Sequence, residues 1–181
     1  ITHPPTSPTY RKLGADHPAR LDRCGHFRHS PEVKAAWERT QGLARSLKAQ
    51  MVLFQTPPTF RPDPDRLRDL YAFFEKVERG RFLLAWEPRG EGWTKKLVTR
   101  VLNDLKLVHA VDPLASEPLG RIGYFRLHGT YREGRIVYRH RYTDEELAKV
   151  ERLARFQPTF VFFNNSDMYQ DAHRFSLLVS G

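Results

Sequence analysis

The chain has 181 residues, 40% hydrophobic and 28% charged, which suits a globular protein with one core. No apolar run approaches the length of a membrane span, and the single cysteine, Cys24, excludes an internal disulfide, so the sequence is read as cytoplasmic. A formal net charge of +9 and a pI near 9.9 suit polyanionic partners, nucleic acid or phosphorylated substrates, with a merely solubilising surface as the equal alternative, and plentiful Arg and Pro with scarce Cys, Met and Asn lean towards a thermophilic source.

Ile1-Thr2-His3 reads as the end of a strand, which implies a segment in front of it. Ser30-Pro31-Glu32 is a helix start, with Ser as the cap, Pro in the first turn and an acid beside the helix dipole. Val33, Ala36, Trp37, Thr40, Leu43, Ala44 and Leu47 follow at helical spacing and predict one buried face. Met51 to Gln55 is a strand stopped by Pro57-Pro58. Asp63-Pro64 opens a second helix, with Leu67, Leu70, Tyr71, Phe74 and Val77 inward and Gly80 as its end. Phe82 to Glu87 is the next strand. Leu97, Val98, Val101, Leu102 and Leu105 make a third amphipathic helix, and Leu107 to Val111 a third strand.

Residues 113 to 120 show no periodicity, so the crossover to the strand Ile122 to Leu127 is short and irregular. Gly129 to Tyr142 reads as a loop. Thr143-Asp144-Glu145-Glu146 is a capping box opening a helix with Leu147, Val150 and Leu153 inward. Thr159 to Phe163 is a strand, and Met168 to Val179 a closing helix with Ala172, Phe175 and Leu178 inward. Strands alternating with helices predict a mostly parallel α/β sheet, either an open doubly wound sheet or a closed barrel. Neither nucleotide-binding glycine fingerprint is present, and no repeat or linker divides residues 1–181, which read as a single domain.

The assembled motifs carry a family resemblance. Ile1-Thr2-His3, Phe54-Gln55-Thr56-Pro57-Pro58, Glu87-Pro88-Arg89 with Trp93, Asp112-Pro113, Phe125-Arg126-Leu127-His128-Gly129 and Phe163-Asn164-Asn165 together resemble the YecE-like family (domain of unknown function 72). Met168 with Asp171-Ala172-His173-Arg174-Phe175 is similar to its archaeal branch. The resemblance implies a TIM-type (β/α) barrel that lacks its first two strands in this chain. It implies no established activity, so function has to be argued from the strand ends.

Alternation along a strand puts Leu83, Ala85 and Glu87 on one side, and Val108, Ala110 and Asp112 likewise. Tyr124, Arg126 and His128 share a face opposite Phe125 and Leu127. His3, Gln55 and Arg89 lie just past strand ends, where catalytic groups gather in this architecture. The expected catalytic set is Glu87, Asp112, His128 and His3. These four residues are also the candidate ligands for a divalent metal ion, a possible cofactor, although no local metal motif is present. Gln55, Arg89, Arg126, Asn164 and Asn165 are the expected substrate-binding residues, with a Glu87–Arg126 ion pair as the purely structural alternative. Arg132, Arg135, Arg139 and Arg141, interleaved with Tyr131, Tyr138 and Tyr142, suit phosphates and stacked bases.

His17, His26, His29 and Cys24 read as exposed loop residues rather than a zinc set, and His109 as a packed structural histidine. The leading expectation is a hydrolase of phosphate-bearing substrates, a nuclease-like phosphodiesterase. The alternatives are a carbohydrate-active or sugar-isomerising barrel, using Trp86 and Trp93 beside paired acids, and a non-catalytic nucleic-acid-binding module. No membrane partner is expected.

Overall fold

A computed structural model of the chain describes residues 1–3, 23–155 and 157–181. They form two compact units, Ile1–Leu107 and Val108–Gly181. Each unit is built of parallel strands alternating with helices, so the protein is α/β. His17 lies outside the described residues.

The first unit contains α1 (Pro31–Ser46), β1 (Met51–Gln55), α2 (Pro64–Lys76), β2 (Leu83–Glu87) and α3 (Lys95–Asp104). Its helices begin where side-chain oxygens accept otherwise orphaned N–H groups: Ser30 caps α1, Asp63 caps α2 and Thr94 caps α3. β1 and β2 pair in parallel from Met51↔Leu83 to Gln55↔Glu87, which sets two polar residues side by side at the strands' carboxyl ends. Phe27, Phe54, Phe60, Leu70, Phe74 and Trp86 are fully or almost fully buried and form the aromatic-rich core.

Two expectations for this unit need correction. Leu43 and Leu47 are exposed, whereas Gln41 is buried beside Trp37, because the Gln41 amide and the Trp37 indole both donate to the Glu78 carbonyl. α2 ends at Lys76, four residues before Gly80.

The second unit contains β3 (Val108–Val111), β4 (Gly123–Leu127), β5 (Thr130–Arg132), β6 (Arg135–Val137), α4 (Asp144–Ala154), β7 (Thr159–Phe163) and α5 (Met168–Ser180). β3, β4 and β7 are parallel neighbours in that order. Phe125 and Leu127 turn to the helix side, where they pack with Leu147 and Val150 of α4, Phe175 of α5 and Tyr142. Tyr124 and Arg126 are half-buried on the opposite face, where Tyr124 stacks on Phe162 at 4.7 Å between ring centroids. The expected alternation of this strand therefore holds. The capping box is also present: Thr143 accepts from the Glu146 N–H, and the Glu146 carboxylate accepts from the Thr143 N–H.

The segment read as a loop from Gly129 to Tyr142 instead carries an antiparallel hairpin, β5 with β6. Its two-residue turn, Glu133-Gly134, has φ of 48° and 72°, the doubly left-handed turn that matches the twist of paired strands. On α5, Ala172 and Leu178 are exposed, and the buried residues are Asp171 and Phe175. Among the described residues no helix is long and apolar enough to cross a membrane.

Candidate functional site

In the first unit the candidate residues gather where β1 and β2 end. Thr56, fully buried, donates through its hydroxyl to the Glu87 carbonyl at 3.1 Å, and its backbone N–H donates to the same oxygen. The Thr56 hydroxyl in turn accepts from the Arg89 N–H at 3.1 Å. This clasp fixes the Glu87-Pro88-Arg89 turn against β1. Glu87 is 6% exposed, and its Oε1 accepts from both Nε and Nη2 of Arg89, at 2.7 and 2.6 Å. A buried carboxylate held this way is a compensated charge, and losing the arginine would leave it costing several kcal/mol.

His3 is half-buried, with Nδ1 2.9 Å from the Thr2 hydroxyl. Burial, then the amino-terminal charge and Arg89, lower its pKa. Gln55 stands beside Glu87 in register. The two tryptophans proposed for a sugar are packed on each other, 4.9 Å apart and nearly perpendicular, with Trp86 fully buried.

In the second unit the strand ends carry Asp112, His128 and Asn164. Asp112 is 6% exposed; its Oδ1 accepts from the Leu114 N–H at 3.0 Å and its Oδ2 from the His128 N–H at 3.4 Å. Burial pushes this carboxyl above the usual range, against the opposing pull of those N–H groups and of the nearby His128 charge. His128 is 2% exposed. The β4–β7 register runs to Leu127↔Phe163 and continues through the Asn164 N–H to the Leu127 carbonyl at 2.8 Å, which sets Asn164 beside His128. Asn164 Nδ2 lies 3.1 Å from His128 Nδ1. An amide nitrogen donates, so Nδ1 accepts and the neutral ring carries its proton on Nε2.

Asn165, the neighbour of Asn164, has a different setting. Its amide donates to the His140 carbonyl and to Asp171 Oδ2, both at 2.7 Å. Asp171, with no exposed surface, also accepts from the Tyr142 N–H at 3.2 Å and pairs with Arg174 at 2.9 Å. Asn165 thus ties the end of β7 to the hairpin's exit and to α5. Nothing in the sequence pattern marked Asp171 as the hub of this network, because its partners come from three separated segments.

The hairpin leaves directly from His128. Gly129 has φ 105°, and a Cβ there would stand 2.4 Å from the Val137 carbonyl oxygen, so only glycine lets β6 fold back this closely. Tyr142 closes the loop. Its buried hydroxyl accepts from the Gly129 N–H at 2.6 Å and donates to the Gly129 carbonyl at 3.2 Å. The Tyr138 and His128 rings are nearly perpendicular, with centroids 6.2 Å apart. Arg132, Arg135, Arg139 and Arg141 are all exposed, and Arg132 and Arg135 stand directly opposite each other across the hairpin.

His109 is buried and accepts from the Leu119 N–H through Nδ1, a structural role as expected. His29 is exposed and Cys24 half-buried, but His26 is only 5% exposed, contrary to the expectation of an exposed loop residue. A cavity of about 630 Å³ in the first unit is lined by Phe27, Trp37, Gln41, Phe73 and Val77, among others of α1, α2 and the segments beside them. Among the described residues, no three His, Cys, Asp or Glu side chains are grouped so that they could hold a metal ion.

No curated protein matches the chain. Among solved structures, it resembles a DUF72 family protein from Thermotoga maritima MSB8, with 23% identity and a TM-score of 0.62, over 82% of this chain and 66% of that one. It also resembles a DUF72 family protein from Enterococcus faecalis V583, with 20% identity and a TM-score of 0.64, over 84% and 70%. The chain thus spans about two-thirds of the length of these relatives, and at such identities the likeness establishes the fold alone. The family model described as "Protein of unknown function DUF72" matches residues 14–179, nearly the whole sequence. The chain belongs to the DUF72 family.

Proposed function

We propose that this protein is a TIM-type barrel that hydrolyses phosphate-bearing substrates, a nuclease-like phosphodiesterase. In this reading His128 is the general acid as the imidazolium, protonated at Nδ1 as well once the Asn164 amide turns its oxygen to that atom; it gives the Nε2 proton to the leaving oxygen and is left as the neutral ring. Asp112 faces the positive charge that the ring acquires when it is reprotonated. Arg126, in the same unit, is the candidate for orienting the substrate, and Glu87, His3 and Gln55 of the first unit are further candidates whose part is tested by substitution.

The observation that carries this reading is the hairpin. Like charges placed directly opposite each other destabilise an antiparallel pair, yet Arg132 and Arg135 stand so, both exposed, on a ribbon that springs from His128. A phosphate between them turns that repulsion into two charge-assisted contacts. Tyr131 and Tyr138, also exposed, supply stacking faces for bases.

The test is incubation of the protein with single-stranded and duplex oligonucleotides, in separate arms with Mg²⁺, Mn²⁺ or Zn²⁺, beside His128→Gln and Glu87→Ala. Cleavage by the wild type that falls by roughly 10²–10⁴ in His128→Gln supports the proposal. Equal cleavage by wild type and variant, or none in any arm, removes it. The exposed arginines also favour a second reading, a nucleic-acid-binding module without catalysis. That reading expects salt-sensitive binding in the absence of cleavage, unchanged in His128→Gln.

A further inference from the structure

Three successive residues in the first unit, Gly25, His26 and Phe27, adopt left-handed backbone, with φ of 75°, 53° and 59°. For the two that carry a side chain this costs about 1–2 kcal/mol each. The surroundings hold them there. The His26 and Phe27 N–H groups donate to the Thr2 and Ile1 carbonyls, each at 3.0 Å. The Phe27 ring is fully buried, in contact with Phe54, Phe60, Phe73 and Phe74 at centroid distances of 5.2 to 6.1 Å. One consequence of this conformation is the placement of the His26 ring. It lies against Phe60 at 5.7 Å, 5% exposed, with Nδ1 facing a guanidinium N–H of Arg66.

Arginine has no acceptor, so Nδ1 accepts from it and the neutral ring must carry its proton on Nε2. The ring is neutral at ordinary pH, because burial and then the charges of Arg66, Arg28 and His3 hold its pKa down to about 4, with Asp63 opposing. The Nε2 atom is buried and has no hydrogen-bond partner among the described residues. A buried N–H without an acceptor costs about 1–3 kcal/mol, and held backbone strain of this kind clusters at binding sites. The missing acceptor is an oxygen, and the two arginine charges acting on the ring select a negative one.

We propose that His26 is a binding residue for a phosphate-type oxyanion, donating from Nε2–H while Arg66 supplies the countercharge. The site lies wholly within the first unit and does not depend on the role given to His128.

The experiment is thermal unfolding of the protein at constant ionic strength, titrated with inorganic phosphate or with acetate. Wild type is compared with His26→Phe, which deletes the orphan donor, and with His26→Asn, a residue that tolerates left-handed backbone and is too short to reach the ligand. The expected result is a phosphate-dependent rise in Tm for wild type, absent or needing at least about tenfold more phosphate in both variants. A phosphate-dependent rise of equal size in either folded variant overturns the proposal. So does a wild-type response that acetate reproduces, or no response to phosphate at all, which would leave a buried solvent molecule as the partner of Nε2.

Discussion

Replacing Tyr142 with Phe removes one oxygen and nothing else. That oxygen both accepts from the Gly129 N–H at 2.6 Å and donates to the Gly129 carbonyl at 3.2 Å, in a place where neither Tyr142 nor Gly129 reaches solvent. The phenol is committed to this role, since burial drives its pKa well above the ordinary tyrosine value. Phenylalanine fills nearly the same volume, so the packing against His140 and Phe163 survives. What remains is a buried N–H and a buried C=O without partners. At about 1–1.5 kcal/mol each, the expected loss is about 2–3 kcal/mol. Urea unfolding should show that loss as a lower midpoint at unchanged slope. Amide exchange should place it, since opening at Gly129 becomes roughly thirtyfold or more easier at 1.4 kcal/mol per factor of ten. Tyr142→Phe with wild-type stability and unaltered exchange at Gly129 would refute the view that this hydroxyl pins the hairpin to the His128 strand.

Three further outcomes follow from the same geometry. Asn165→Asp sets a second carboxylate beside Asp171 and removes the amide donor to the His140 carbonyl, so it should destabilise by about 3 kcal/mol at neutral pH, with part of the loss recovered in acid on chemical denaturation. Burial raises Asp112 above its unfolded pKa, so the folded state holds this proton more tightly. Its ionisation therefore opposes folding as pH climbs past the ordinary aspartate range, and unfolding curves at several pH values should show stability falling there, a slope that Asp112→Asn abolishes although its amide can accept from only one of the two N–H groups. His26 behaves oppositely. Its folded pKa of about 4 lies below the unfolded value, so the unfolded chain protonates first, and up to about 3 kcal/mol of stability should disappear as pH falls from 6.5 towards 4, a slope that His26→Asn abolishes.

What could be read from sequence was local chemistry. Ser30, Asp63 and Thr143 announce helix starts because a cap and its N–H partner lie within three residues of each other. Strand alternation placed Tyr124 and Arg126 opposite Phe125 and Leu127, because a two-residue period depends only on the backbone. The misses have causes that a short window does not contain. Gln41 is buried in place of Leu43 because the Glu78 carbonyl, thirty-seven residues away, takes its amide. Asp171 is buried because Asn165, Arg174 and the Tyr142 N–H converge on it. The hairpin was hidden because its strands are three residues long and Glu, rather than Asn or Asp, precedes Gly134 in the turn. Of the candidate site, the register explains why Asn164 meets His128, whereas Asn165, adjacent in sequence, turns to the helices' side network.

The central claim is a division of labour: His128 transfers the proton, and the hairpin arginines hold the phosphates. Steady-state cleavage of one oligonucleotide by wild type, His128→Gln and an Arg132→Gln/Arg135→Gln double variant tests it most directly. The account predicts that His128→Gln lowers kcat by roughly 10²–10⁴ with KM little changed, while the arginine variant raises KM, with a weaker dependence on salt, and leaves kcat close to wild type. A fall in kcat shared equally by both variants, or a His128→Gln enzyme with full kcat, would contradict it.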